Sequence, residues 1–236
     1  MKPTNNDVPK HIGIILDGNR RFSKRLMMKP WKGHEFGAKK IENLLKWCRE
    51  FKIRELTLYT FSLENFYRPK KEFDYLMKLF KKESRKLLND NKFEKNKIKI
   101  RFIGRIHMFD KELQNLMKEI MEKSKKYKDY IVNIAMAYGG RQEVIDAVMK
   151  LASDVKNGKV KLEDINEETF SKNLYLNSQP DLVIRTGGEK RTSNFLNFQA
   201  AYAEWIFLDI MWPDFNKNNF VACLSEYSRR RRRFGR

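Results

Sequence analysis

The sequence predicts a single α/β domain, a central and mostly parallel sheet with helices on both faces. Short apolar runs rich in β-formers alternate with longer stretches whose apolar residues recur every three to four positions, the pattern of strands joined by crossover helices. No repeat, linker or low-complexity boundary interrupts the 236 residues, so residues 1–236 read as one unit. At 41% hydrophobic, a chain of this length can bury one large core.

Residues 1–10 are polar and carry no apolar signal core. Ile12 to Leu16 reads as a buried strand, after which Asp17-Gly18-Asn19 turns the chain and opens a helix. Asp17 therefore stands at the carboxyl end of a buried strand, where open α/β sheets bind ligands. The helix amino terminus beside it attracts phosphate, but Asp17 alone would repel it. A hard cation between them or the guanidinium groups of Arg20 and Arg21 would remove the conflict, and the residues permit both. From this stretch alone, a plain helix cap accounts for Asp17 equally well.

A basic loop, Lys24 to Lys32, leads to Gly33-His34-Glu35-Phe36-Gly37. Ile41, Leu44, Leu45 and Cys48 then form a helical stripe, and Leu56 to Phe61 a second strand that runs into the polar Ser62 to Pro69. Phe73, Leu76, Met77 and Phe80 mark an amphipathic helix continuing to Leu87 and Leu88. That face is either plain core or, beside the small Ser84, room for an elongated apolar ligand. Ile98 to Ile103 alternates apolar and basic residues, a strand with one solvated face. Leu113, Leu116, Met117, Ile120 and Met121 form the next helix. Ile131 to Ala137 is a strand ending in Tyr138-Gly139-Gly140-Arg141, and Val144, Ile145, Val148, Leu151 and Ala152 follow as a helix.

Asp181 to Ile184 is a further buried strand, ending in Arg185-Thr186-Gly187-Gly188 and continuing to Asn194. Arg185 and Arg191 can grip phosphate oxygens, with Ser193 as a hydroxyl donor, and the two glycines allow close backbone approach to a ligand. This is neither a Walker A loop nor a dinucleotide fingerprint. Glu204 lies in the otherwise apolar Ala200 to Leu208, where an acid must be paired or coordinate a metal. It could share one Mg²⁺ with Asp17 or pair with a core arginine. The close, Arg229 to Arg233 followed by Phe234-Gly235-Arg236, reads as a nucleic-acid or membrane tail, or as a segment that docks and folds.

The net charge of +20 favours anionic partners, though most lysines need only solvate the surface. Two distant cysteines, Cys48 and Cys223, point to no disulfide or zinc site and to a reducing, cytoplasmic setting. No run is long and apolar enough to span a membrane, although contact with a membrane surface is compatible with the charge.

Together the motifs resemble the cis-prenyltransferases, the undecaprenyl diphosphate synthase family, from His11 to Gly235. The pieces are His11 to Arg21, Gly33-His34-x-x-Gly37, Tyr59 to Pro69, Asn133 with Tyr138 to Arg141, Asp181 to Phe195, and Trp212-Pro213-Asp214-Phe215. The resemblance implies an Mg²⁺-dependent transferase that condenses isopentenyl diphosphate onto an allylic diphosphate primer. The product would be a long-chain Z-polyprenyl diphosphate, a lipid carrier precursor for glycan assembly, and the growing tail would occupy an elongated hydrophobic tunnel. The resemblance implies Asp17, Asn19 and Asn65 as catalytic. It places Gly18, Arg20, Arg21, His34, Phe61 and Ser62 around the substrates, and Arg68 and Glu72 on a mobile segment near them. Arg185, Arg191 and Ser193 match the isopentenyl diphosphate site, and Asp17 and Glu204 the metal acids. It further implies a homodimer, with Arg233-Phe234-Gly235 reaching toward the partner's site, peripheral membrane contact for product release, and no nucleic acid. No Asp-Asp-x-x-Asp motif of the trans class is present. Two departures, Pro30 where the family often has Arg and Ala137 where Asn is frequent, leave the primer open; Lys29 or Lys32 could substitute for the missing Arg.

Overall fold

The structure is a computed structural model that describes residues 8–90 and 92–230. Arg233-Phe234-Gly235 therefore lies outside the described residues.

Six parallel strands form one sheet in the order β3-β4-β2-β1-β5-β6. They are β1 (His11–Ile15), β2 (Glu55–Ser62), β3 (Ile98–Ile103), β4 (Tyr130–Tyr138), β5 (Leu182–Arg185) and β6 (Glu204–Phe207). The helices are α1 (Asn19–Arg25), α2 (Gly33–Glu50), α3 (Lys70–Asn89), α4 (Lys92–Lys95), α5 (Lys111–Ser124), α6 (Gly140–Lys156), α7 (Glu167–Ser171) and α8 (Lys217–Arg229). The central strands are apolar on both sides because helices cover both faces: every residue of β1 and β5 is buried. The alternating Ile98 to Ile103 run is an edge strand, so its basic residues need not be buried.

The register sets the geometry of the site. Ile15 lies beside Tyr59 of β2 and Arg185 of β5, so the segments after β1, β2 and β5 emerge together at one edge of the sheet. Between the sheet, α2 and α3 lies a cavity of about 510 Å³.

One helix differs from its apolar pattern. On α6 the inward residues are Glu143, Ala147 and Leu151. Ile145 is 57% exposed and Met149 67%, with Val148 exposed between them. The reason is Glu143, which is almost fully buried and held by Tyr138 Oη, by the Leu176 N–H at 3.0 Å and by Gln199 Nε2 at 2.9 Å. Those bonds turn the carboxylate inward and leave much of the apolar face in solvent.

Candidate active site

Asp17 follows β1 but does not cap α1. The cap position belongs to Gly18, at φ +101°, and no side chain caps the helix. Instead Asp17 Oδ1 accepts from the Gly18 N–H at 2.6 Å, and Oδ2 accepts from Arg185 Nη2 at 2.9 Å. Arg21 Nη2 lies 3.3 Å from Oδ1. The Asp17 carbonyl is held by Thr186 Oγ1 at 2.8 Å and by the Trp212 N–H at 2.9 Å. The carboxylate is thus fixed from both sides while its side chain stays partly exposed. A plain helix cap therefore does not account for Asp17.

Arg185 is the buried member of the second loop. It is 4% exposed, and its Nη1 donates to Ser193 Oγ at 2.6 Å and to the Arg191 carbonyl. The Arg191 side chain points elsewhere: it is 61% exposed and pairs with Glu189, which also lies 3.4 Å from Arg21. The two glycines do not offer their backbone to a ligand. The N–H groups of Gly187 and Gly188 are taken by the Ile210 and Leu208 carbonyls at 2.7 and 2.8 Å. Gly187 is needed for a close approach at φ +90°, since a Cβ there would lie 2.8 Å from Arg21 Nη2 and 3.0 Å from the Asp17 backbone.

The motif Gly33-His34-x-x-Gly37 seats α2 against Asn19. A Cβ on Gly33 would fall 1.9 Å from the Asn19 carbonyl, and one on Gly37 2.4 Å from Asn19 Oδ1. Close packing brings Asn19 and His34 into the cavity wall with Asp17, Ser62, Asn65 and Arg68. Asn19 Oδ1 and His34 Nε2 are buried without a hydrogen-bond partner. Burial, then the charges of Arg68 and Arg20, hold the His34 pKa down to about 3, so the ring is neutral at physiological pH. Glu72 is buried and pairs with Arg68 and, at 3.6 Å, with Arg20, which clamps α3 to α1. Asn65 Oδ1 accepts from the Ser62 N–H at 3.0 Å, locking the segment after β2. Deeper, the wall turns apolar through Leu45, Leu58, Phe80, Leu87 and Phe93, with Ser84 among them.

Against known families, residues 15–235 match the family model Prenyltransf, that of the undecaprenyl diphosphate synthases. The chain belongs to the undecaprenyl diphosphate synthase family. Among its relatives are the tritrans,polycis-undecaprenyl-diphosphate synthases (geranylgeranyl-diphosphate specific) of Pyrococcus furiosus and Methanocaldococcus jannaschii. The first is 47% identical, covering 97% of this chain and 88% of its own length; the second is 45% identical, covering 98% and 84%. Lavandulyl diphosphate synthase of Lavandula x intermedia, solved with dimethylallyl diphosphate, superposes with a TM-score of 0.93 at 31% identity, over 98% of this chain and all of that one. A probable undecaprenyl diphosphate synthase of Campylobacter jejuni gives 0.80 at 34% identity, over 97% and 99%. As a family member the chain is a transferase, with the α/β fold of the cis-prenyltransferases.

Two residues expected at the site of this family member stand elsewhere. Phe61 is 1% exposed and packs among Phe66, Phe73, Phe80 and Phe109, behind the cavity wall rather than on it. Glu204 begins β6 and is registered with Leu182 and hence Ile12, five positions short of Asp17. At roughly 3.3 Å per residue that is about 16 Å along the strands, so one chain does not bring the two acids to one metal. Glu204 instead accepts from Arg230 Nη1 at 2.9 Å, an arginine pairing as the competing reading expected, although Arg230 is 35% exposed and not in the core.

Some supports were not assigned from sequence. Thr186 and Trp212 hold the Asp17 backbone, and Trp212 Nε1 also donates to the Gly37 carbonyl at 2.9 Å. Tyr59 Oη donates to the Ser193 carbonyl at 3.2 Å. The only sequence signal was their place inside the motifs, because each acts across elements far apart in the chain.

Proposed function

We propose that this chain extends an allylic diphosphate with isopentenyl diphosphate in Z-selective steps, to a long-chain polyprenyl diphosphate of the kind that carries glycans. The observation that carries this reading is that two cationic groups meet at Asp17 over the mouth of an apolar cavity. Arg20, Arg21 and Arg68 stand on the β1 and β2 side; Arg185 and Ser193 stand on the β5 side, with Arg191 at the rim. Two diphosphates need two such grips, and an apolar tail needs the cavity behind them. We assign geranylgeranyl diphosphate as the primer, because relatives matching nearly the whole chain carry that specificity in their names.

Mg²⁺ fits the donor set. It binds through one or two carboxylates and keeps waters and phosphate oxygens as its other ligands. Asp17 offers one partly exposed carboxylate, and among the described residues no cluster of three His, Cys, Asp or Glu forms a protein-only cage. Asp17 would hold the ion, and Glu204 of the same chain would not. When bound, it would stabilise the charge growing on the departing diphosphate. Arg20 and Arg21 add to that neutralisation. The neutral His34 offers an uncharged hydrogen-bonding edge, and Asn65, tied through its oxygen to Ser62, keeps its amide N–H groups for the substrate. The allylic C1–O bond breaks, C4 of isopentenyl diphosphate bonds to C1, and a proton leaves C2.

The exposed Ile145, Val148 and Met149 of α6 and the edge strand β6 support a homodimer, which would cover both. No helix among the described residues is long and apolar enough to cross a membrane.

The test is incubation with radiolabelled isopentenyl diphosphate and Mg²⁺, with geranyl, farnesyl and geranylgeranyl diphosphates in competition. We expect geranylgeranyl diphosphate to be consumed first, a long polyprenyl diphosphate to form, and chelation by EDTA to stop it. No product with any primer would overturn the reading.

A further inference from the structure

Helix α1 ends in a hydrogen-bonded turn that carries an exposed apolar tip. The Met28 N–H donates to the Ser23 carbonyl at 2.9 Å and the Met27 N–H to the Lys24 carbonyl at 3.0 Å, the two bonds of a Schellman closure. Met27 occupies its left-handed position at φ +53°. Glycine is usual there, because a Cβ is strained in that conformation. Met27 accepts the strain and gains no packing from it, since its side chain is 96% exposed. Leu26 beside it and Phe36 in the first turn of α2 are also exposed. Phe36 lies 5.3 Å from the Phe22 ring of α1, so the three apolar groups belong to one corner.

The surroundings of that corner are cationic. Residues 20–40 contain eight lysines and arginines and a single acid, Glu35. Glu35 is neutralised by Lys32 at 3.1 Å, and Asp214, which faces the corner from the segment before α8, by Arg25 at 2.8 Å. Lys24 and Lys29 form no ion pair among the described residues and are exposed. The corner also borders the site: α1 leaves the sheet two residues after Asp17, and α2 begins beside His34.

We propose that Leu26, Met27 and Phe36, flanked by Lys24 and Lys29, form a docking face for an anionic lipid bilayer. Apolar side chains enter the headgroup boundary while lysines meet the lipid phosphates. The hydrogen-bonded turn presents them already ordered, which keeps the entropic cost of docking low. Three apolar side chains are too few for a stable protein interface of ordinary size, whereas a bilayer needs only a small inserted tip. Docking here turns the mouth of the cavity toward the membrane, where a polyprenyl product is soluble. The binding itself does not depend on which reaction the site performs.

The buried Cys48 and Cys223, with thiols that burial pushes up to about 12, allow selective labelling of one new exposed cysteine. The full chain carrying Met27→Cys with a polarity-sensitive fluorophore is titrated with vesicles of equal parts phosphatidylcholine and phosphatidylglycerol, and with phosphatidylcholine alone. A blue shift on the anionic vesicles only is expected. The same label at Lys159→Cys, beyond the far end of α6, should not shift. A shift of both labels, or of neither, would mean unspecific attraction or none and would overturn the proposal. So would a shift that follows protein concentration without vesicles, which would make the corner an interface between copies. In unlabelled protein, Leu26→Ser with Met27→Ser should weaken co-sedimentation with the anionic vesicles by at least about tenfold at an unchanged melting temperature. Equal sedimentation would sink the idea. Neither readout uses the condensation reaction, so a failure of that reading and a failure of docking are separate results.

Discussion

Arg185 reaches from the end of β5 to the end of β1, where its Nη2 donates to Asp17 Oδ2 at 2.9 Å. The same guanidinium holds Ser193 Oγ at 2.6 Å. One buried cation thereby orients both the acid of one half of the site and the hydroxyl of the other. Asp17→Asn keeps an oxygen for Arg185 but removes the charge. It should lower the rate of isopentenyl diphosphate incorporation by at least about 10²-fold while the melting temperature changes little. Arg185→Ala should raise the KM for isopentenyl diphosphate more than that for the primer, as measured by initial rates with each substrate varied.

Ser84 faces the cavity between Leu87 and Phe80. Ser84→Leu adds apolar bulk part-way down the wall. Product analysis by mass spectrometry should show shorter polyprenyl chains, with the first condensation at an unchanged rate, because the mouth of the cavity is untouched.

Gly37 has no room for a methyl group, with Asn19 Oδ1 at 2.4 Å and Trp212 Cδ1 at 2.8 Å from the position a Cβ would take. Gly37→Ala should cost roughly 1–3 kcal/mol in denaturant unfolding. It should also reduce activity beyond that loss of fold, because Asn19 has to move.

His34 adds a pH dependence of known sign. Its folded pKa is lowered to about 3, by burial first and then by Arg68 and Arg20, whereas an unfolded histidine titrates near 6.5. Between those values the unfolded chain binds the extra proton, so stability falls as pH drops from about 6.5 toward about 3. The melting temperature of His34→Gln should decline less than that of the unsubstituted chain across this window, by on the order of 10 °C at its acid end. The buried His11, whose pKa burial also lowers, contributes in the same direction and remains in both proteins.

The exposed face of α6 tests the proposed homodimer. Ile145→Glu combined with Val148→Glu changes two side chains that touch solvent, so each chain should fold normally. Light scattering should then report a shift from dimer to monomer.

The strands and helices were legible because their patterns are local. Ile12 to Leu16, Leu56 to Phe61, Ile131 to Ala137 and Asp181 to Ile184 each lie within one residue or two of an observed strand. The alternation in Ile98 to Ile103 marked a strand with one solvated face, and its place at the edge of the sheet came only from the structure. The apolar face of α6 misleads by the same local logic. A helical stripe shows which residues are apolar, but not that Glu143 finds three buried partners and turns the helix away from it.

The amino-acid sequence by itself determined the fold class, the order of the elements and the family, since these rest on periodicity and on motifs read along the chain. It also placed acids and arginines after buried strands. Only the tertiary structure decided which of those residues meet. Asp17 meets Arg185 because β1 and β5 are neighbours in register, and Glu204 stays with Arg230 because β6 begins five positions short of that edge. Phe61 sits where β2 breaks its register with β4, and it packs among Phe66, Phe73, Phe80 and Phe109 in an aromatic core instead of lining the cavity. Strand order, register and the facing of a side chain arise from packing between distant segments, and no window of sequence contains them.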